Sequence, residues 1–244
     1  MKQTIFEIKE NIKIAKNVFR MTLAGDTEGI IPGQLVNIKL DGYYLRRPIS
    51  VCDVPEDGTL VIIYKVVGKG TELMSSMTEG SLDVLTQLGN GYDLTRSGDK
   101  PLLIGGGVGV PPLYMLAKKL VEQGKKVSVI LGFNTKDEIF YEDEFKALGA
   151  DVSVATADGS YGVKGFVTNA MEGMDFSYFY TCGPEPMLRA ICKATDVSGE
   201  LSFEERMGCG FGACMGCSCK TLTGYKRICK DGPVMRKEEI IWNA

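Results

Sequence analysis

Gly105-Gly106-Gly107-Val108-Gly109-Val110-Pro111-Pro112 is the stretch on which the fold turns. The residues before it, Pro101–Ile104, read as a strand, and Pro111–Gln123 after it read as a helix. A glycine-rich turn between strand and helix lets a dinucleotide approach the backbone. The helix start then offers its N–H groups and dipole to a phosphate, and a proline suits that first turn. The run departs from a clean G-x-G-x-x-G, so a plain turn packing strand to helix is the competing reading.

Outward from this turn, strands and helices alternate. Lys126–Phe133, Asp151–Ala155 and Ser177–Thr181 read as strands, Asp137–Leu148 and Glu185–Ala194 as helices. Alternation of this kind predicts a parallel sheet with right-handed crossovers. Cys182-Gly183-Pro184 ends a later strand of that sheet and opens a helix, so the two glycine turns are candidates to line one crevice at the strand ends. Asp158, after another strand, is placed to accept from ribose hydroxyls and to repel a 2′-phosphate, which favours NAD over NADP. The bland reading is that Asp158 starts an Asp-Gly turn.

Upstream of about residue 97 the pattern is β-rich. Val18–Leu23, Gln34–Leu40, Ile49–Val54 and Thr59–Val67 are short, β-branched segments set apart by Gly, Pro and Asp turns, as in a small antiparallel barrel. Within it, Arg46-Arg47-Pro48-Ile49-Ser50 reads either as a solvated charged edge or as a guanidinium fork for a flavin pyrophosphate, with Ser50 bonding the ring system. Tyr64-Lys65-Val66 follows, and Gly70-Thr71 opens an apparent helix, another phosphate site. The expected class is α/β plus all-β: a barrel over 1–97, a parallel α/β domain over 98–202, and an iron–sulfur segment over 203–244.

That last segment holds five of the eight cysteines: Cys209, Cys214, Cys217, Cys219 and Cys229. The C-x4-C-x2-C spacing with a further Cys downstream is the plant-type pattern for a [2Fe–2S] cluster. A zinc site prefers two C-x2-C knuckles and fits the x4 gap poorly. A thioredoxin-type Cys-Met-Gly-Cys leaves Cys209 and Cys229 unexplained. Four ligands are needed; Cys209, Cys214, Cys217 and Cys229 are the expected set and Cys219 the spare, with Cys219 against Cys229 left open because the final gap is short. Met207, Phe211, Ala213 and Met215 are apolar for a loop, as for a surface covered on assembly or for packing onto this chain.

Composition narrows the chemistry. The chain has no histidine, which removes His-based triads, His-ligated zinc and a Rieske centre. Hydride and electron transfer between cofactors need no protein base. A net charge of −3 lacks the basic excess of a nucleic-acid binder. The charged start, Met1-Lys2-Gln3-Thr4, has no secretory h-region, and no apolar run reaches membrane-span length. Unpaired, cluster-binding cysteines fit a reducing compartment, so a cytoplasmic location is expected.

The order of Arg47-Pro48-Ile49-Ser50, Gly105–Gly109, Cys182-Gly183-Pro184 and Glu204-Glu205-Arg206-Met207-Gly208-Cys209 resembles the ferredoxin–NADP reductase superfamily. The tail is similar to one branch, the electron-transfer subunits of B-type dihydroorotate dehydrogenases. The resemblance covers essentially the whole chain. It implies FAD on Arg47, Pro48, Ile49 and Ser50, continued by Tyr64, Lys65 and Val66, with its pyrophosphate on Gly70 and Thr71. It implies NAD facing Gly105, Gly106, Gly107, Val108, Gly109, Cys182 and Gly183, and the cluster on the four cysteines named above. It further implies a separate FMN-containing catalytic chain that oxidises dihydroorotate in pyrimidine biosynthesis and assembles with this one as a heterotetramer, with no catalytic residue on this chain. The alternative is a subunit of a related complex such as a ferredoxin-dependent transhydrogenase.

Overall fold

The computed structural model describes residues 1–242. Six antiparallel strands close a barrel in the order β1-β2-β5-β4-β3-β6: β1 (Lys2–Ala15), β2 (Val18–Ala24), β3 (Leu35–Ile38), β4 (Arg47–Asp53), β5 (Leu60–Lys65) and β6 (Ser81–Leu88). Its inward side chains include Phe6, Met21, Leu23, Val36, Ile38, Leu60, Ile62 and Val84, each adding about 1.5–3 kcal/mol by leaving water. Helix α1 (Lys69–Ser76) follows β5 and closes one end by burying Met74.

Seven strands form the second sheet. Its order is β10 (Val163–Lys164), β9 (Asp151–Thr156), β8 (Ser128–Phe133), β7 (Pro101–Gly106), β11 (Tyr178–Cys182), β12 (Gly199–Ser202) and β15 (Val234–Arg236). The first six run parallel; β15, supplied by the cysteine-rich segment, pairs antiparallel with β12. Helices α2 (Tyr114–Glu122) and α3 (Glu142–Ala147) cover one face through Leu116, Leu120 and Phe145. Helices α4 (Val167–Ala170) and α5 (Glu185–Ala194) cover the other through Val167, Leu188 and Ile191. From β7 the chain winds outward through β8 and β9, then crosses back to β11 on the other side. That reversal opens a crevice at the carboxyl ends of β7 and β11. A small hairpin, β13 (Ser218–Thr221) and β14 (Gly224–Arg227), precedes β15 in the chain.

Two expectations need correction. The helix over Asp137–Leu148 is broken: a 3₁₀ turn at Lys136–Glu138 gives way to extended chain, and Tyr141 sits at φ +67° before α3 begins. Phe140 and Tyr141 turn into the core there and pack edge-on against Phe133 and Tyr114, which outweighs continuing the helix. The helix over Pro111–Gln123 starts as a 3₁₀ turn at Pro111–Leu113 and becomes α-helical only from Tyr114. The structure also adds β1, β6, β10, β12, β13, β14 and β15, which the sequence reading did not place. In β1 only Phe6 and Ile8 are buried, and their charged neighbours mask the alternation.

Candidate functional site

The glycine turn lies at the switch point. Gly105 pairs in register with Cys182 on the neighbouring strand, and a Cβ on Gly109 would stand 2.2 Å from the Cys182 carbonyl oxygen. The two turns therefore touch backbone to backbone. Gly106, Gly107 and Val108 face a cleft of about 530 Å³, whose other walls include Asn134, Phe166 and Met187. Gly105, Gly109, Cys182 and Gly183 build the floor beneath it rather than lining it. Burial pushes the Cys182 thiol up, as for a packing cysteine. Asp158 does not reach the cleft, although its neighbour Ala157 does. Its exposed carboxylate accepts from Ser160 N at 2.9 Å and Ser160 Oγ at 2.6 Å, which holds its pKa below the usual range and ties it into its own turn.

A second cleft, about 380 Å³, opens on the barrel. Arg47, Pro48, Ile49, Ser50, Tyr64, Lys65 and Thr71 line it, while Val66 and Gly70 do not. The two arginines have different fates. Arg46 is locked bidentate on Asp83 at 3.0 Å. Arg47 has no acid partner among the described residues; its Nη1 donates to the Leu45 carbonyl at 2.5 Å, and its guanidinium lies 4.8 Å over the Tyr43 ring. Gly70 makes room for it, since a Cβ there would stand 2.1 Å from Arg47 Nε. An uncompensated guanidinium on a cleft wall, backed by the start of α1, fits the diphosphate of FAD. The Thr71 hydroxyl accepts from Val67 N at 3.0 Å and donates to Gly68 O, so it shapes the turn. Tyr64 gives its hydroxyl to Asn11 Oδ1, and burial pushes its pKa up to about 12.

The two clefts meet. Lys65, Val108 and Glu204 line both, so a nucleotide in one and a flavin in the other share a wall. Phe203, Glu205 and Met207 then lead along the barrel cleft into the cysteine loop.

In that loop four sulfurs stand as two pairs. Cys209 N donates to Cys214 Sγ at 3.5 Å and Cys214 N to Cys209 Sγ at 3.4 Å. Cys217 Sγ lies 3.3 Å from Cys229 Sγ and accepts from Cys229 N. Phe211 N and Ala213 N also aim at Cys209 Sγ. Burial opposes ionisation of Cys209, but these N–H donors outweigh it and bring the thiol down to about 6. Among the described residues no three Cys, Asp or Glu side chains converge on one point fit for a single metal ion. Two pairs of sulfurs, each with N–H donors, instead fit two irons with two thiolates apiece. Cys219 stands apart on β13, its sulfur 3.9 Å from Met235 Sδ, and burial raises its pKa. Met207 packs inward against the barrel, whereas Phe211 and Met215 are exposed.

Three residues escaped the sequence reading. Buried Asn37 of β3 donates to Cys209 O at 2.9 Å and pins the loop to the barrel. Asn90 exchanges two hydrogen bonds with Val234, fixing the start of β15. Glu138 reaches from the broken helix into the nucleotide cleft. None carries a motif, because each acts through a partner more than seventy residues away or on another element.

The chain is similar to known proteins over nearly its whole length. Residues 204–241 match the iron–sulfur cluster binding domain of dihydroorotate dehydrogenase B, and residues 103–193 match the oxidoreductase NAD-binding domain. The electron transfer subunit of dihydroorotate dehydrogenase B (NAD(+)) from Fusobacterium nucleatum is 46% identical, with 96% of each chain covered. That of Bacillus pumilus is 45% identical, with 98% of each covered. Among solved structures, a chain of an NADH-dependent reduced ferredoxin–NADP oxidoreductase, described for flavin-based electron bifurcation, superposes with TM-score 0.87. It is 34% identical and covers 97% of this chain and 90% of its own. A ferredoxin–NADP+ reductase of Neisseria gonorrhoeae shares the fold at 16% identity and TM-score 0.67, over 80% of this chain and 90% of its own. No helix among the described residues is long and apolar enough to cross a membrane.

Proposed function

Because the chain belongs to the electron transfer subunits of dihydroorotate dehydrogenase B (NAD(+)), we propose that it carries electrons from a partner's FMN to NAD+ through one [2Fe–2S] cluster and one FAD. The cluster exchanges single electrons, NAD+ takes a hydride, and the flavin converts between the two. The observation that carries this reading is the chain of contacts: paired sulfurs, then Met207 and Glu204, then two clefts sharing Lys65 and Val108.

The residues divide the work. Cys209 and Cys214 hold one iron, Cys217 and Cys229 the other. Arg47, with Gly70 beneath it, receives the FAD diphosphate; Pro48, Ile49, Ser50 and Tyr64 form the flavin wall. Gly106, Gly107 and Val108 receive the NAD diphosphate on the floor built by Gly105, Gly109, Cys182 and Gly183. The functional units are residues 1–97, 98–202 and 203–244, although β15 of the third completes the sheet of the second. Exposed Phe211 and Met215 beside the cluster suit the face that meets an FMN-bearing catalytic chain, two copies of each chain forming a cytoplasmic heterotetramer.

NADH is the expected nucleotide over NADPH. The cleft wall presents two carboxylates, Glu138 and Glu204, against one ammonium, Lys65, a balance that disfavours an added phosphate. Stopped-flow reduction of the flavin by the two nucleotides tests this, and faster reduction by NADPH contradicts it. The function is tested by adding an FMN-containing catalytic chain. The isolated chain reduces dyes with NADH but turns over no dihydroorotate; dihydroorotate-dependent NAD+ reduction appears on mixing. A second reading follows from the 34% identical bifurcating oxidoreductase chain, and it wins if the only partner that accepts electrons is a ferredoxin-linked subunit.

A further inference from the structure

The wall shared by the two clefts contains an ion pair that crosses from the barrel to the nucleotide sheet. Lys65 Nζ of β5 lies 3.4 Å from Glu138 Oε1, which follows β8. The acid is anchored without the lysine: its Oε2 accepts from Asn134 Nδ2 at 2.9 Å and from Asn134 N at 3.3 Å. The lysine is the more exposed member, 36% against 20%, and its four-carbon stem is free to swing. A fixed carboxylate facing a flexible ammonium sets where that ammonium rests.

The position matters because Lys65 lines both clefts while Glu138 lines only the nucleotide cleft. Reducing a flavin adds negative charge to its ring. A nearby cation therefore favours the reduced form and a nearby anion opposes it, and the effect strengthens where protein replaces water. We propose that Glu138, facing Lys65 across the junction, partly offsets its charge, so that the nucleotide domain tunes the potential of the flavin held by the barrel. This rests on the FAD reading above.

The test is a redox titration of the flavin band in the full flavin- and cluster-loaded chain, for wild type, Glu138→Gln, Lys65→Met and the double variant. Glu138→Gln removes a negative charge and shifts the flavin midpoint upward. Lys65→Met removes a positive charge and shifts it downward. The double variant falls between Lys65→Met and wild type, since the acid offsets only part of the lysine's charge. General loosening of the domains does not produce shifts of opposed sign. Shifts of both single variants in one direction, or an unshifted Glu138→Gln, overturn the proposal. Should the amide disturb the Asn134 turn and the variant fail to fold, Glu138→Ala carries the same expected sign. A wild-type chain that binds no flavin sinks the FAD reading instead, so the two failures are distinguishable.

Discussion

The glycine turn at 105–109 and the cysteine loop at 209–217 look alike in sequence, yet they are built on different principles. In the turn, glycine is required by neighbouring backbone: Gly109 rests against the Cys182 carbonyl, inside a sheet whose strands fix every position. Nothing needs to bind for that geometry to exist. In the loop, the backbone bends around sulfur, and the local contacts are N–H groups aimed at Cys209 and Cys214. Its protein anchors are few: Asn37 to Cys209 O, and Arg227 Nη1 to Gly212 O. The turn is a preformed receptor, whereas the loop is completed by what it holds.

Removing sulfur ligands from the loop separates the two regions most strongly. Cys209→Ser, Cys214→Ser, Cys217→Ser and Cys229→Ser are each expected to abolish cluster absorbance while flavin absorbance persists. Cys219→Ser keeps both, because its sulfur faces Met235. Visible spectra after anaerobic reconstitution decide it, and a bleached Cys219→Ser with an intact Cys229→Ser reverses the ligand assignment.

The turn fails differently. Gly109→Ala drives a methyl group into the Cys182 carbonyl, and strain of this kind costs about 1–3 kcal/mol. Spent on the nucleotide floor, that corresponds to roughly a tenfold or greater loss of NADH-dependent dye reduction. Cluster and flavin spectra stay unchanged, since neither lies on that floor. Normal NADH kinetics in Gly109→Ala, or parallel loss of the cluster, contradicts the separation of the two regions.

What the sequence revealed follows the same division. The helix at Glu185–Ala194 and the strand–turn–helix around Gly105 were readable because proline, glycine and apolar spacing act over a few neighbouring residues. The four candidate cluster cysteines, which the structure brings into two pairs, were readable because thiolate spacing is local chemistry. The anchors were not. Asn37 meets Cys209 across 172 positions and Asn90 meets Val234 across 144, and no local pattern announces such a pair. Asp158 shows the converse: a well-placed acid in the sequence, it spends its carboxylate on Ser160. Tyr141 interrupts a predicted helix because aromatic packing outweighed helical propensity.

A pH-dependent effect is expected at the seam between the two regions, where β12 carries the nucleotide sheet on one side and β15 of the cysteine segment on the other. Glu200 of β12 is 4% exposed and accepts a hydrogen bond from Asp93 N at 2.9 Å. Burial pushes its carboxyl up to about 7, and the Asp93 N–H only partly offsets this. A carboxyl raised on folding binds more protons in the native state than in the unfolded chain between its unfolded value, about 4.3, and 7. Stability therefore falls as pH rises through that window and levels off above it. Glu200→Gln keeps an oxygen for Asp93 N but cannot ionise, so it lacks this loss. The variant should match wild type near pH 4.5 and exceed it by on the order of 2–3 kcal/mol at pH 8, read from urea unfolding at the two pH values. A variant that gains nothing at pH 8 means the seam does not bury a titrating charge, and that sheet and cysteine segment are joined by β12–β15 pairing alone.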